Sequence, residues 1–357
     1  MKLPALPFKV PPRVRRILAW SGYPIFYLFC LAVFAYLTFP YEQLKERLIA
    51  ELESGQKGPA PRVEMDSLGP YWLGGISAKG LRIIMPSTPA AGETAPRPPS
   101  KLTFDKVHAR LSLLSLLIGR ISVSFGATAF GGRIDGDTQT GSDGRKVEAT
   151  LEGVDIGQFE PLTDLLGGAP VSGTLSGKID WLVPEGKLSK ATGTVALSVA
   201  DLSIGDGKAK LAGKLALPRL NVGQLELAGE AKGGVLKLEK LGAQGQDLDL
   251  QGDGRIVLRD SITDSMADVY LRFRFADGYR NRNDVTKSLF GAPGSTMPGL
   301  FELADPRVKA SKRPDGYFGW HMAGELRDPR FDAAASGGSF GTGGAPPAGF
   351  GARTTVN

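Results

Sequence analysis

Two hydrophobic rhythms divide the chain. From Ile17 to Phe39 runs a 23-residue stretch without a charge. As a helix rising about 1.5 Å per residue it reaches roughly 34 Å, enough to cross a bilayer core. Beyond Arg62 the apolar positions alternate with polar ones, the period-two pattern of strands with one buried face. Between the two, Tyr41, Leu44, Leu48 and Leu52 recur at helical spacing with Glu42, Lys45, Glu46 and Glu51 among them. That spacing predicts an amphipathic helix over 40–53 whose apolar face packs on the adjoining β-rich domain.

Within the alternating part, strands are predicted at Ile76–Ile84, Thr103–Leu111, Arg120–Ala129 and Arg133–Thr138, the last two joined by a Gly131-Gly132 turn. Five prolines between Pro86 and Ser100 leave 86–100 neither helix nor central strand, so a loop is expected there. A short apolar turn or helix is predicted at Ser112–Ile118, and short helices at Gln158–Leu166 before a Gly167-Gly168 stop and at Asp284–Phe290. From Val195 the chain reads as a meander with glycine-containing turns. Val195, Leu197 and Val199 share one face, then Leu211, Leu215 and Leu217. The series continues with Leu225 and Leu227, Leu236 and Leu238, Leu248 and Leu250, and Ile256 and Leu258. A strand at Val269–Phe275 and a hairpin near Tyr317–Leu326 complete a β-rich domain over 62–330. The Gly-, Ala-, Ser- and Pro-rich segment 333–357 is predicted to be disordered. The fold class is therefore mainly β, a long antiparallel sheet with one apolar face and a few short helices, behind a single transmembrane helix. The eight residues Leu225, Leu227, Leu236, Leu238, Leu248, Leu250, Ile256 and Leu258 are the candidate binding face. Such a face must be covered by curling, by the short helices, by a partner or by lipid.

Charge sets the orientation. Residues 1–16 contain Lys2, Lys9, Arg13, Arg15 and Arg16 and no acid, so the positive-inside rule keeps the N-terminus in the cytoplasm and exports the chain beyond the apolar run. A cleaved signal peptide also begins basic and continues apolar. Here the stretch is too long for that, and no small-x-small site precedes Tyr41-Glu42-Gln43. Trp20, Tyr23, Tyr36 and Phe39 lie near the ends of the run, where aromatic rings favour the headgroup region, and Pro24 is tolerated near the helix start. The expected location is the inner membrane, single-pass, with the bulk of the chain periplasmic. Without those five N-terminal cations, 38 Lys and Arg stand against 37 Asp and Glu, so the isoelectric point near 9.3 does not call for a nucleic-acid partner. The one cysteine, Cys30, is inside the apolar run, which leaves the exported part no disulfide and no thiolate ligand.

Catalytic motifs are missing. His108 and His321 each lie in a predicted strand without the companions of a triad or a metal site. Asp247-Leu248-Asp249-Leu250-Gln251-Gly252 begins like a calcium loop, but the position for a bidentate Glu holds Leu258. Asp247 and Asp249 are expected instead on the polar face of a strand. The glycines between Gly242 and Gly254 lack a strand-loop-helix phosphate cradle and are expected in turns. No cofactor, no metal and no enzymatic activity are expected, and a hydrolase with a site assembled only by the fold is the weakest alternative.

The segments Thr38-Phe39-Pro40-Tyr41-Glu42-Gln43-Leu44-Lys45 and Tyr71-Trp72-Leu73-Gly74-Gly75-Ile76-Ser77-Ala78-Lys79-Gly80 resemble protein N of the type II secretion system, the GspN family. So do Ala109-Arg110-Leu111-Ser112-Leu113-Leu114-Ser115-Leu116-Leu117-Ile118-Gly119, Gly131-Gly132-Arg133-Ile134-Asp135-Gly136, and Asp315-Gly316-Tyr317-Phe318-Gly319-Trp320 with Gly324-Glu325-Leu326. The likeness spans residues 17–330 on short, degenerate motifs. It implies a non-enzymatic inner-membrane component of a machine that exports folded proteins, with its other inner-membrane subunits and the secretin as partners. The strand, short helix, strand, Gly-Gly turn pattern also resembles AsmA and TamB envelope proteins. That likeness implies a curved half-barrel sheet and, as the alternative function, lipid binding or transfer for outer-membrane biogenesis. Neither resemblance carries catalytic residues to this chain, and loop 86–100 and the tail match no motif of these families.

Overall fold

The computed structural model describes residues 22–54, 61–85 and 100–334, less positions 25, 28, 32, 35, 37, 73, 118, 166–168, 209, 212–214, 217 and 296. The basic segment with Arg13, Arg15 and Arg16, Trp20, most of loop 86–100 and the tail beyond 334 lie outside the described residues. So does part of the apolar run. Its described positions from 22 to 38 are helical, and Tyr23, Phe26, Phe29, Leu31 and Phe34 are exposed. Among the described residues no helix is long and apolar enough to cross a membrane.

The amphipathic helix α1 spans Tyr41–Ser54, with Glu42 in its first turn complementing the helix dipole. Its residues Tyr41, Leu44 and Leu48 are half-buried, and the helix lies against strands β1 (Arg62–Glu64) and β2 (Ser67–Tyr71). Leu52 stays 45% exposed, so the predicted packing covers only part of the apolar face. The Glu53 carboxylate accepts the backbone N–H of Val63 and ties the helix end to β1.

The domain is one open, curved sheet of fifteen antiparallel strands. After β1 and β2 come β3 (Gly75–Met85), β4 (Ser100–Leu111), β5 (Ile121–Ala129), β6 (Gly132–Gly141), β7 (Gly144–Asp155), β8 (Val171–Val183) and β9 (Thr192–Ile204). The chain then forms β10 (Lys210–Leu211) and β11 (Leu215–Ala216), and returns through β12 (Leu220–Lys232), β13 (Val235–Gln244), β14 (Leu248–Val257), β15 (Met266–Phe275), β16 (Phe318–Glu325) and β17 (Arg330–Ala333). Apart from this small hairpin and from β1, neighbours in sequence are neighbours in the sheet, so it is a meander. Both β1 and β2 pair with β3 at one edge, and β17 is the other edge. The short helices are α2 (Leu113–Leu117), α3 (Glu160–Leu165), α4 (Asp277–Arg280), α5 (Asp284–Phe290), α6 (Leu300–Ala304) and α7 (Pro306–Ser311).

Several expectations are corrected. Leu211 and Leu215 do not belong to the meander: β10 and β11 form a separate two-stranded hairpin, and β9 pairs directly with β12. Ala333 ends β17 instead of beginning a tail. Gly242, Gly252 and Gly254 lie within β13 and β14, and Gly245 between them is in the turn. Strands β7 and β8 and helices α4, α6 and α7 have no counterpart in the sequence pattern.

Bulges bend the sheet. Register slips between β7 and β8 beside Gly153, whose φ is +66°, and between β12 and β9 at Gly223, whose φ is +76°. Another slip lies in β13 between Leu238 and Leu241, so the apolar positions step from 236 and 238 to 241 and 243 without leaving their face. An extra residue in one strand of a pair increases local twist and turns the sheet.

Candidate binding face

The hydrogen-bond register aligns apolar side chains across the whole sheet. One row runs Leu68–Ala78–Val107–Ala127–Ile134–Leu151–Gly177 and continues Leu197–Leu227–Leu241–Gly252–Leu271–Trp320–Ala333. Every position is apolar or glycine. At about 4.8 Å between strands the row is roughly 60 Å long. The adjacent row, which includes Ala109, Phe125, Ile179, Val195, Leu238 and Val269, is equally free of polar side chains. Leu236, Leu238, Leu248 and Leu258 are buried, whereas Leu225, Leu227, Leu250 and Ile256 are half-buried. All eight candidate residues take positions on this face by register and alternation.

Glycines on this face lie beneath large neighbours. A Cβ on Gly136 would meet the Phe125 ring, one on Gly177 the Leu197 side chain and backbone, and one on Gly252 the tips of Leu241 and Leu271. Small positions under large ones let the inner surface shorten, which suits a sheet that curls toward that side. The opposite face is polar, with ion pairs such as Arg255–Asp268 and Lys240–Glu226. This one-sided chemistry is what antiparallel sheets permit.

Burial is concentrated at the two ends of the strands. At one end Val171, Leu202, Leu220, Val222, Ala243 and Leu248 pack with Tyr279, Leu289 and Phe290 of α4 and α5. At the other Val183, Ala191, Val195, Ala231, Leu236 and Leu258 form a second cluster. Between them Leu197, Leu225, Leu227, Leu241, Leu250 and Leu271 remain half-buried. Two clefts lie at the sheet's edges. Near β17 a cleft of about 710 Å³ is lined by Leu250, Leu271, Phe273, Phe301, Trp320 and Phe331, among others. Near β3 a cleft of about 490 Å³ sets Tyr36, Phe39 and Tyr41 against Gly74, Ile76, Ala109 and Leu111. The apolar rows therefore connect a cleft walled by the N-terminal helix with one at the far edge. Thr138 Oγ1 and the Trp181 indole N–H, on the next row, are buried without a hydrogen-bond partner among the described residues.

The residues weighed for chemistry lie apart and pack against their neighbours. His108 on β4 packs beside the Tyr71 ring at 4.4 Å, and His321 on β16 stacks on Tyr270 at 4.3 Å with Nε2 2.9 Å from Asp268. Asp247 is not on a strand's polar face. It precedes β14, is 1% exposed, binds Arg282 and accepts the Asn221 backbone N–H at 2.8 Å. Asp249 accepts the Tyr317 hydroxyl. Among the described residues no group of His, Cys, Asp and Glu could hold a metal. Tyr279 is fully buried and donates to the Pro218 carbonyl at 2.8 Å, and burial pushes its hydroxyl up to about 12. Signals for the end cap are partly present in sequence: Asn283 caps α5 reciprocally with Thr286, while the buried aromatic cluster beneath it leaves no pattern there.

The chain matches no protein-family model, no curated protein and no solved structure.

Proposed function

We propose that the chain is a non-enzymatic, inner-membrane-anchored component of type II secretion that works by receiving another molecule on the inner face of its sheet. The observation that carries the binding part of this reading is the continuous apolar row, half-buried along its middle. Contiguous exposed apolar surface on a folded protein marks an interaction site. The type II assignment is carried by the GspN-like segments. In this reading Ile17–Phe39 holds the sheet at the periplasmic surface, and other inner-membrane subunits of the machine, with the secretin beyond them, are the partners. The sheet edge at β17, which pairs only with β16 among the described residues, offers a further contact by strand addition.

A second reading is favoured by a specific feature: the same face binds lipid. The row is long enough for an acyl chain, each methylene buried there contributes about 0.8 kcal/mol, and the unpartnered Thr138 hydroxyl and Trp181 N–H could meet ester oxygens. A photoreactive phenylalanine analogue at Leu227, in full-length chain in membranes of its host, separates the two. Adducts with secretion subunits support the scaffold, and phospholipid adducts support the lipid module. Labelling no greater than from Lys237 on the polar face would contradict both.

A further inference from the structure

We propose that the rim formed by Trp72, the α2 helix and Ile121 is seated in the headgroup layer of the bilayer that the N-terminal helix enters, so that the inner face of the sheet begins at the membrane surface. This inference rests on the anchored reading of Ile17–Phe39.

The rim is a concentrated apolar surface. Trp72 is 70% exposed, Leu114 78%, Leu113 and Ile121 51% each, and Leu116 49%. A helix of sequence Leu-Leu-Ser-Leu-Leu with three outward leucines beside an outward Trp and Ile is a contiguous apolar surface of the kind that marks an interaction site. Trp72 adds a second sign. Its backbone takes φ +50°, the left-handed region that bulky residues avoid, and holds the indole out in solvent with the Arg110 guanidinium 5.8 Å from the ring. An outward Trp beside an Arg suits a membrane interface, where the ring lies among headgroups and the cation meets phosphate.

Position identifies the occupant. Gly74, two residues from Trp72, lies against Leu113 and also lines the cleft with Tyr36, Phe39 and Tyr41. The rim is thus beside the end of the apolar helix, and any bilayer around that helix is within its reach. Charge agrees. At the rim itself Arg110 lies beside Trp72 and Arg120 directly precedes Ile121, which suits anionic phospholipid.

The test uses the full chain with Cys30→Ser and Leu114→Cys, labelled with an environment-sensitive fluorophore and reconstituted in phosphatidylethanolamine–phosphatidylglycerol vesicles. The control site is Gly278→Cys on α4, which has open space around it. Seating predicts blue-shifted emission at position 114 and its loss when a shallow spin-labelled lipid is added, with neither change at 278. Emission at 114 as red and as unquenched as at 278, in chain that resists alkaline carbonate extraction, would overturn the seating and leave the anchor intact. Extraction of the chain by carbonate would reject the anchor and the seating with it. Leu114→Asp with Leu116→Asp, read from a label at Ile121→Cys, should abolish the quenching without releasing the chain.

Discussion

Arg282 binds Asp247 at the end of the sheet, with the carboxylate 1% exposed and a second Arg282 nitrogen donating to the Arg219 carbonyl at 2.8 Å. The pair ties the loop after α4 to the strand ends at β12 and β14, which holds the aromatic cap over one end of the inner face. Arg282→Ala leaves the buried Asp247 carboxylate without its partner and should cost about 3 kcal/mol in urea unfolding, whereas Asp247→Ala leaves a guanidinium that is 36% exposed and should cost less. Asp247→Ala combined with Arg282→Ala should cost clearly less than the two single changes together. Strictly additive losses would show that the pair does not act as a unit.

Tyr279 gives the cap an alkaline limit. Its buried hydroxyl is raised to about 12, first by desolvation, with Asp247 adding and Arg282 opposing. The unfolded chain releases this proton near the ordinary value of about 10, whereas the folded chain keeps it. Stability from this group is therefore complete below about pH 10 and falls as pH rises toward 12, by on the order of 2 kcal/mol. Tyr279→Phe should lose about 1 kcal/mol at neutral pH with the Pro218 hydrogen bond, and its stability should fall less steeply over the alkaline range. Parallel profiles for the two proteins would contradict this.

The glycines of the inner face differ in what surrounds them. At Gly177 a Cβ would lie 2.4 Å from the Ala196 carbonyl oxygen, a backbone atom, whereas at Gly252 it would meet only leucine tips at 2.8 Å. Gly177→Ala should destabilise by about 2 kcal/mol and Gly252→Ala by less than about 1 kcal/mol. Equal costs, measured by denaturant midpoint, would mean that close packing at these positions does not shape the curve.

Charge on the half-buried stripe should end binding there without unfolding the sheet. On the lipid reading, Leu227→Asp with Leu250→Asp abolishes copurification of lipid with the detergent-extracted chain, while the circular dichroism of the strands persists. A folded double variant that retains its lipid would reject the face as a lipid site.

The meander from β12 to β16 is legible in the sequence because Leu225 and Leu227, Leu248 and Leu250 and their neighbours alternate cleanly between glycine turns. The amphipathic helix and α5, with its Asn283 cap, are legible for the same kind of local reason. Strands β7 and β8 are not: Gly153 interrupts the alternation of β7 with a bulge, and in β8 Gly173 and Gly177 occupy apolar slots with no side chain to register. Helices α4, α6 and α7 have six residues or fewer, too short to display a helical period. The role of Asp247 is hidden because its partner lies 35 residues away. The candidate face can be named by residue, but the unbroken row across β2 to β17 needs the register of every strand pair.

The central claim is tested most directly by deleting the gene in its host and measuring a known type II cargo in the medium and the periplasm, with wild-type chain and the Leu227→Asp, Leu250→Asp variant returned in turn. The account predicts cargo trapped in the periplasm behind an intact outer membrane, export restored by the wild type, and no restoration by a stably accumulating variant. Undiminished export from the deletion strain would contradict the secretion assignment, and a leaky outer membrane in that strain would point to the lipid reading instead.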